Sequence, residues 1–272
     1  MPTRDLKIAL IPLDIVENDS EANLKNALHR LDMLDADTDM AVLPEMFNTG
    51  FTPDVKQLAL NAQRNDGELI TELRHQAASR GMALWGGFTA EEDGGRYYNR
   101  GFMIDDKGEA QFYDKRHLFQ YGGESDVLTP GDRIAPVLNY RTWNMKMSIC
   151  YDLRFPVWSR NTSNEYDLLI YVANWPIPRR KVWDILLQAR ALENISYVCG
   201  VNRIGKDGRD IPHSGGSVVY SPKGEVLATV PDNEEAIATA SLNLSSLQEF
   251  RLKFPAWKDA DEFVISSNNS SQ

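Results

Sequence analysis

Histidine and cysteine are both scarce in this chain of 272 residues, which holds four of the first and two of the second. The histidines, His29, His75, His117 and His213, show no H-E-x-x-H spacing, and no C-x-x-C pair occurs, so the common zinc arrangements are excluded. Two cysteines, Cys150 and Cys199, cannot build a disulfide scaffold, and reduced thiols suit a cytoplasmic protein. No apolar run approaches the ~20 residues of a membrane span. The opening Met1-Pro2-Thr3-Arg4-Asp5 leads straight into a strand pattern, so no signal peptide is expected. Basic runs are missing too. With 29 Lys and Arg against 39 Asp and Glu, a net charge of −10, neither nucleic acid nor an anionic membrane is an expected partner. The phosphate-cradling motifs GxxxxGK[ST] and GxGxxG are absent, as is the GxSxG serine elbow.

What remains is an ordinary globular composition, 42% hydrophobic and 25% charged, which argues against a disordered or fibrous chain. No Pro/Gly/Ser-rich linker divides it, so the expectation is one domain over residues 1–272, with 250–272 as a C-terminal tail. Within that tail Phe254-Pro255-Ala256-Trp257 needs a surface to pack on, in this chain or a neighbouring subunit. Residues 266–272 are Ser/Asn-rich and expected to fray.

Strand and helix patterns alternate. Apolar strand-like runs cover residues 6–15, 40–43, 82–88, 98–104 and 110–113, then 145–149, 167–173, 197–201, 217–220 and 226–230. Helical spacing follows Ser20 as a cap (Leu24, Leu28, Leu31, Leu34), and recurs at 67–80 and 182–194. Buried strands alternating with amphipathic helices predict an α/β sandwich, sheets covered by helices. Two hairpins echo each other, Lys107-Gly108-Glu109 and Lys223-Gly224-Glu225, although turns favour Gly and Lys in any case.

Three residues stand where chemistry could occur. Cys150 ends an apolar strand and is followed by Tyr151-Asp152-Leu153-Arg154-Phe155-Pro156. A thiol at a strand's carboxyl end, before a sharp turn, points into the crevice where α/β proteins place ligands. The alternative, a small hydrophobe in the core, fits Cys199 in mid-strand. Glu45 follows Val42-Leu43-Pro44, and its apolar setting would push it toward general-base behaviour; otherwise it is a helix first-turn glutamate. Lys115 ends the strand before it and could hold a developing oxyanion, or simply be a solvated charge at a hairpin end. Together they form a carboxylate, an ammonium and a thiol at three strand ends, the logic of a triad with glutamate in place of histidine.

Leu43-Pro44-Glu45-Met46-Phe47, Tyr113-Asp114-Lys115-Arg116-His117-Leu118 and Ser148-Ile149-Cys150-Tyr151-Asp152-Leu153-Arg154-Phe155-Pro156 resemble, in order and spacing, the three signature blocks of the nitrilase (carbon–nitrogen hydrolase) superfamily. The resemblance implies a four-layer α-β-β-α sandwich of nitrilase type, a homodimer through a helical face, and no metal or organic cofactor. It implies Glu45 as general base, Lys115 as oxyanion stabiliser, Cys150 as nucleophile and Glu124 as a second glutamate, with the Tyr151 amide completing the oxyanion hole. Cys150 to Pro156, Val172-Ala173-Asn174-Trp175-Pro176 and Ala189-Arg190-Ala191-Leu192-Glu193-Asn194 look most like the omega-amidase branch, which hydrolyses the terminal amide of 2-oxoglutaramate and 2-oxosuccinamate. The first strand departs from the family pattern, reading Ile11-Pro12-Leu13-Asp14 where many relatives carry glutamine.

For such an amide substrate, Arg154 could bind the carboxylate bidentately, or else pair with Asp152. Trp175 and Phe119 could wall a short chain, or belong to the core. The rivals are another amidase, nitrile or N-carbamoyl hydrolysis on the same scaffold, a non-catalytic binding protein, and a thiol redox sensor, the last weakened because Cys199 shows no sign of being a resolving partner.

Overall fold

A computed structural model describes residues 5–265. In chain order its strands and helices begin β1 (Leu6–Leu10), α1 (Ser20–Asp32), β2 (Met40–Val42), α2 (Val55–Asn61), α3 (Glu68–Arg80), β3 (Ala83–Glu92), β4 (Arg96–Ile104) and β5 (Ala110–Asp114). They continue with α4 (Glu124–Val127), β6 (Leu138–Tyr140), β7 (Trp143–Ile149), β8 (Leu168–Ala173), α5 (Arg180–Asn194) and β9 (Tyr197–Asn202). Last come β10 (Ile204–Lys206), β11 (Pro212–Ser214), β12 (Val218–Tyr220), β13 (Val226–Thr229), β14 (Ala238–Leu242) and α6 (Leu244–Lys253).

Two six-stranded sheets result, ordered β14-β1-β2-β3-β4-β5 and β13-β12-β9-β8-β7-β6. Read in the matching direction they share one topology: an antiparallel edge strand, three parallel strands, then two antiparallel strands. The hairpin echo in the sequence marks this repeat, because β4–β5 and β12–β13 occupy equivalent places in the two sheets.

Period-two alternation builds the layers. In β1 and β2, Leu6, Ile8, Leu10, Met40 and Val42 point at the second sheet, while Ala9, Ala41 and Leu43 face α1 and α3. Those helices answer with Ala27 and Leu31, and with Leu69, Ile70, Leu73 and Ala77. On the far side α5 lays Trp183, Leu187 and Ala191 on the second sheet. The architecture is therefore the α-β-β-α sandwich. Two glycines permit the close approaches. A Cβ on Gly101 would lie 2.4 Å from Met147 Sδ between the sheets, and one on Gly200 would lie 2.4 Å from Leu187 under α5.

Several boundaries differ from the sequence reading. β1 stops at Leu10 rather than near residue 15, because Pro12 has no N–H for the ladder; Ile11 still donates to Val42 (3.0 Å). The cap of α1 is Asp19, whose carboxylate accepts the Ala22 N–H (2.9 Å), and Ser20 is the first helical residue. The short edge strands β6 and β14, the β10–β11 hairpin and α6 escaped the pattern altogether. The three residues each of β6, β10 and β11 show too little periodicity, β14 has five, and α6 is weakly amphipathic. Residue 250 lies inside α6, and the aromatic segment after that helix stacks Phe254 on Phe250, ring centroids 6.2 Å apart. Residues 266–272, expected to fray, lie outside the described residues.

Candidate active site

The first acidic group comes from the end of β2. Leu43 prolongs the ladder by donating to Trp85 (2.8 Å), and Pro44 ends it. Residues 45–49 form a turn rather than a helix start, with Met46 at φ +44°. That conformation is strained for a side chain without special tolerance, at roughly 1–3 kcal/mol. The result points Glu45 inward, where it is 1% exposed. Its Oε1 accepts from Asn99 Nδ2 (2.6 Å) and Lys115 Nζ (2.8 Å), and its Oε2 accepts from the backbone N–H of Asn174 (2.6 Å).

Lys115 leaves the end of β5, its N–H bonded to Asn99 O (2.9 Å) and its carbonyl to Gly131 N (2.9 Å). The alternative of a solvated charge is overturned, since the side chain is 1% exposed and the ammonium bridges two carboxylates. The second is Glu124, opening α4, whose Oε1 lies 2.8 Å from Lys115 Nζ while Oε2 accepts the Phe119 N–H (2.7 Å).

Cys150 closes the arrangement from the end of β7. It too is held at positive φ, +44°, the geometry of a strand breaking sharply into a 3₁₀ turn. Asp152 fastens that turn. It is fully buried, with one oxygen accepting from Ile149 N (3.0 Å) and Tyr113 OH (2.8 Å) and the other from His117 N (3.0 Å). Trp158 Nε1 donates in turn to Tyr113 OH (2.9 Å).

Burial dominates the electrostatics. It works against the Lys115 ammonium, yet the charges of Glu124 and Glu45 outweigh it and hold the lysine pKa well above its ordinary value. Burial pushes Glu124 upward against the opposing charge of Lys115. The Cys150 thiol is pushed well above its ordinary value by burial and by Glu45, with Lys115 pulling the other way. Cys150 is thus held toward its thiol form, with the Glu45 side chain beside it. Cys199 is buried in mid β9 with only burial acting on it, as a small core hydrophobe.

These groups line a hollow of about 60 Å³, walled by Phe119, Asn174, Arg179 and His213. A recess of about 30 Å³ beside Cys150 adds Tyr151, Arg154 and Trp175. The suggested Arg154–Asp152 pair does not form. The guanidinium lies instead over the rings of Trp175 (5.3 Å) and Tyr151 (5.9 Å), and Asp152 is bonded elsewhere. Trp175 is buried at the recess wall, its indole N–H donating to Arg179 O (2.8 Å). Phe119 lines both spaces.

Asn99, Asn174, Arg179 and His213 were not singled out from the sequence. Asn99 carried a readable sign, a polar residue in an apolar strand, whereas Arg179 sits in an unremarkable Pro-Arg-Arg run. Both polar atoms of the Asn174 side chain are buried without a hydrogen-bond partner among the described residues.

The fold thus gathers a buried thiol, a carboxylate and an ammonium at one hollow, and the chain belongs to the carbon–nitrogen hydrolase family, whose profile matches residues 7–252. It is 41% identical over 260 residues to the omega-amidase YafV of Escherichia coli strain K12, covering 96% of this chain and 98% of that one. It is 31% identical to the 2-oxoglutaramate amidase of Bacillus subtilis strain 168, over 93% of this chain and 97% of that protein. Among solved structures, XC1258 of Xanthomonas campestris, a CN-hydrolase superfamily protein with an arsenic adduct in its active site, superposes with a TM-score of 0.92. That match is at 33% identity and covers 97% of this chain and all of that one.

Proposed function

We propose that this chain is an omega-amidase that releases ammonia from the terminal amide of short 2-oxo dicarboxylic acid monoamides, 2-oxoglutaramate or 2-oxosuccinamate. The observation that carries the reading is one ammonium, Lys115 Nζ, held 2.8 Å from both Glu45 and Glu124 in the hollow that also contains the Cys150 thiol. The amidase names of full-length relatives support the substrate class.

Glu45 takes the Cys150 proton as sulfur bonds to the amide carbon. The carbonyl oxygen gains negative charge, held by Lys115 and the Tyr151 backbone N–H. The tetrahedral adduct collapses, the C–N bond breaks, and nitrogen leaves as ammonia with the proton from Glu45. Water then attacks the thioester, Glu45 removing its proton with Glu124 beside it, and the oxo acid departs as the thiol is restored. Arg154 receives the substrate carboxylate, and Trp175 and Phe119 wall the chain.

The protein acts as a homodimer in the cytoplasm. Exposed Ile185, Leu192, Leu227 and Leu252 on α5, β13 and α6 support a second copy against that face. Both cysteines are free and buried, which suits a reducing compartment.

An ammonia-release panel of 2-oxoglutaramate, 2-oxosuccinamate, glutamine, a carbamoyl amino acid and a nitrile tests the function. The oxo-acid amides are expected to be turned over fastest and without carbon dioxide. Preference for the carbamoyl compound or the nitrile would reject the reading.

A further inference from the structure

Around Cys150 the charge is anionic, Glu45 and Glu124 sharing a single Lys115, and two further guanidiniums lining the hollow are already taken, Arg203 by Glu17 and Arg209 by Asp207. A substrate that carries its own carboxylate is repelled from that end, so it needs cations in the outer wall to be oriented amide-first. Two guanidiniums stand there. Arg154 and Arg179 both line the recess that contains Cys150. Among the described residues neither guanidinium has an ion partner or a hydrogen bond, although acidic residues outnumber basic ones by 39 to 29. Each is instead laid on aromatic faces, Arg154 over Trp175 at 5.3 Å and Arg179 over Phe119 at 4.8 Å. A guanidinium stacked in this way keeps its N–H edge available for bidentate contact with a carboxylate, and its plane is fixed before the ligand arrives.

Arg179 is distinctive because it lines both the recess and the larger hollow. It follows Trp175-Pro176 on a short 3₁₀ turn, and its carbonyl is fastened by the Trp175 indole (2.8 Å). Backbone and platform are therefore both anchored, while the charged head is uncommitted.

We propose that Arg179 is a specificity-determining residue of this site, forming with Arg154 a two-guanidinium clamp on the carboxylate of an anionic amide, with Phe119 and Trp175 as its platforms. The proposal rests on the amidase reading above. It explains why the outer wall holds two uncommitted arginines where a site for neutral amides needs none.

The test uses the full-length enzyme and its Arg179→Met and Arg179→Lys variants, each assayed on 2-oxoglutaramate and on a neutral amide of the same chain length. A charge-assisted contact corresponds to roughly a ten- to hundredfold change. Arg179→Met is expected to raise KM for 2-oxoglutaramate by that factor with a much smaller change in kcat. It should weaken inhibition by 2-oxoglutarate similarly and affect the neutral amide at least tenfold less. Arg179→Lys keeps the charge without the planar fork, and should fall between the two. Thermal melting of each variant confirms that it is folded. Equal losses on the anionic and the neutral amide would overturn the clamp while leaving the amidase function intact. A wild-type enzyme with no activity on any oxo-acid amide would overturn both.

Discussion

Asp152 ties the lysine-bearing segment to the cysteine-bearing turn through His117, accepting its backbone N–H at 3.0 Å and lying 2.8 Å from its Nδ1. The imidazole is clamped from the other side, stacked on Phe155 at 3.7 Å and edge-on to Trp158 at 5.3 Å. Lys115 and Cys150 reach the site from different sheets, and this carboxylate is a direct tie between the segments that carry them.

Asp152→Asn presents an NH₂ group where two donors now meet an oxygen, leaving at least one buried donor unsatisfied. Stability is expected to fall by roughly 1–3 kcal/mol, and kcat to fall with little change in KM, because chemistry is misaligned while the substrate walls are untouched. Urea midpoints and steady-state kinetics read the two effects. A variant with wild-type kcat would show that the turn needs no such tie.

Glu45→Gln keeps the side-chain shape but removes the proton acceptor. The expected loss in turnover is about 10²–10⁴-fold, with an acyl adduct on Cys150 visible by intact mass after substrate is added. Cys150→Ala should show no adduct, and an adduct persisting there would remove Cys150 from the chemistry. In the wild type, burial and Glu45 hold the thiol above its ordinary pKa of 9.0. Alkylation of Cys150 should therefore rise with pH only beyond the range of a free thiol.

Lys115→Met leaves Glu45 and Glu124 buried against each other without their shared cation. Losing one partner of a buried ion pair costs about 3–5 kcal/mol, which chemical denaturation would register. Activity should disappear with it, since the oxyanion loses its charged partner. Near-native stability in the variant would mean that the carboxylates had taken up protons at little cost.

His213 supplies a pH test. Burial, helped by the nearby charge of Arg203, lowers its pKa from 6.5 to about 4, so the folded chain keeps it neutral where the unfolded chain protonates it. Its contribution is present above pH 6.5 and is lost as pH falls toward about 4, amounting to about 3 kcal/mol. Stability curves for wild type and His213→Gln across that window should differ in slope, the variant being flatter. Parallel slopes would mean that another group carries the acid sensitivity.

The three blocks that meet at the candidate site were legible because each is local. Pro44-Glu45, Lys115-Arg116-His117 and Cys150-Tyr151 each sit at a strand end, where an apolar run meets a polar interruption, and that contrast is written in consecutive residues. The α/β sandwich class was legible for the same reason, since buried strands alternate with amphipathic helices along the chain, whereas the four-layer order came from the resemblance to the family. Asn99, Asn174 and Arg179 were not legible, because their importance lies in what they meet across the fold.

Taken alone, the amino-acid order determined most of the longer strands and helices, the α/β sandwich class and the three strand-end groups Glu45, Lys115 and Cys150 as candidates, all of which follow from spacing along one chain. Only the tertiary structure decided that Lys115 is shared between two carboxylates, that Arg154 lies on Trp175 rather than on Asp152, and that Arg179 is left without an acidic partner among the described residues. Those outcomes depend on burial and on competition among neighbours from distant segments. A guanidinium or carboxylate commits to whichever partner the packing brings nearest, and no local pattern encodes that choice.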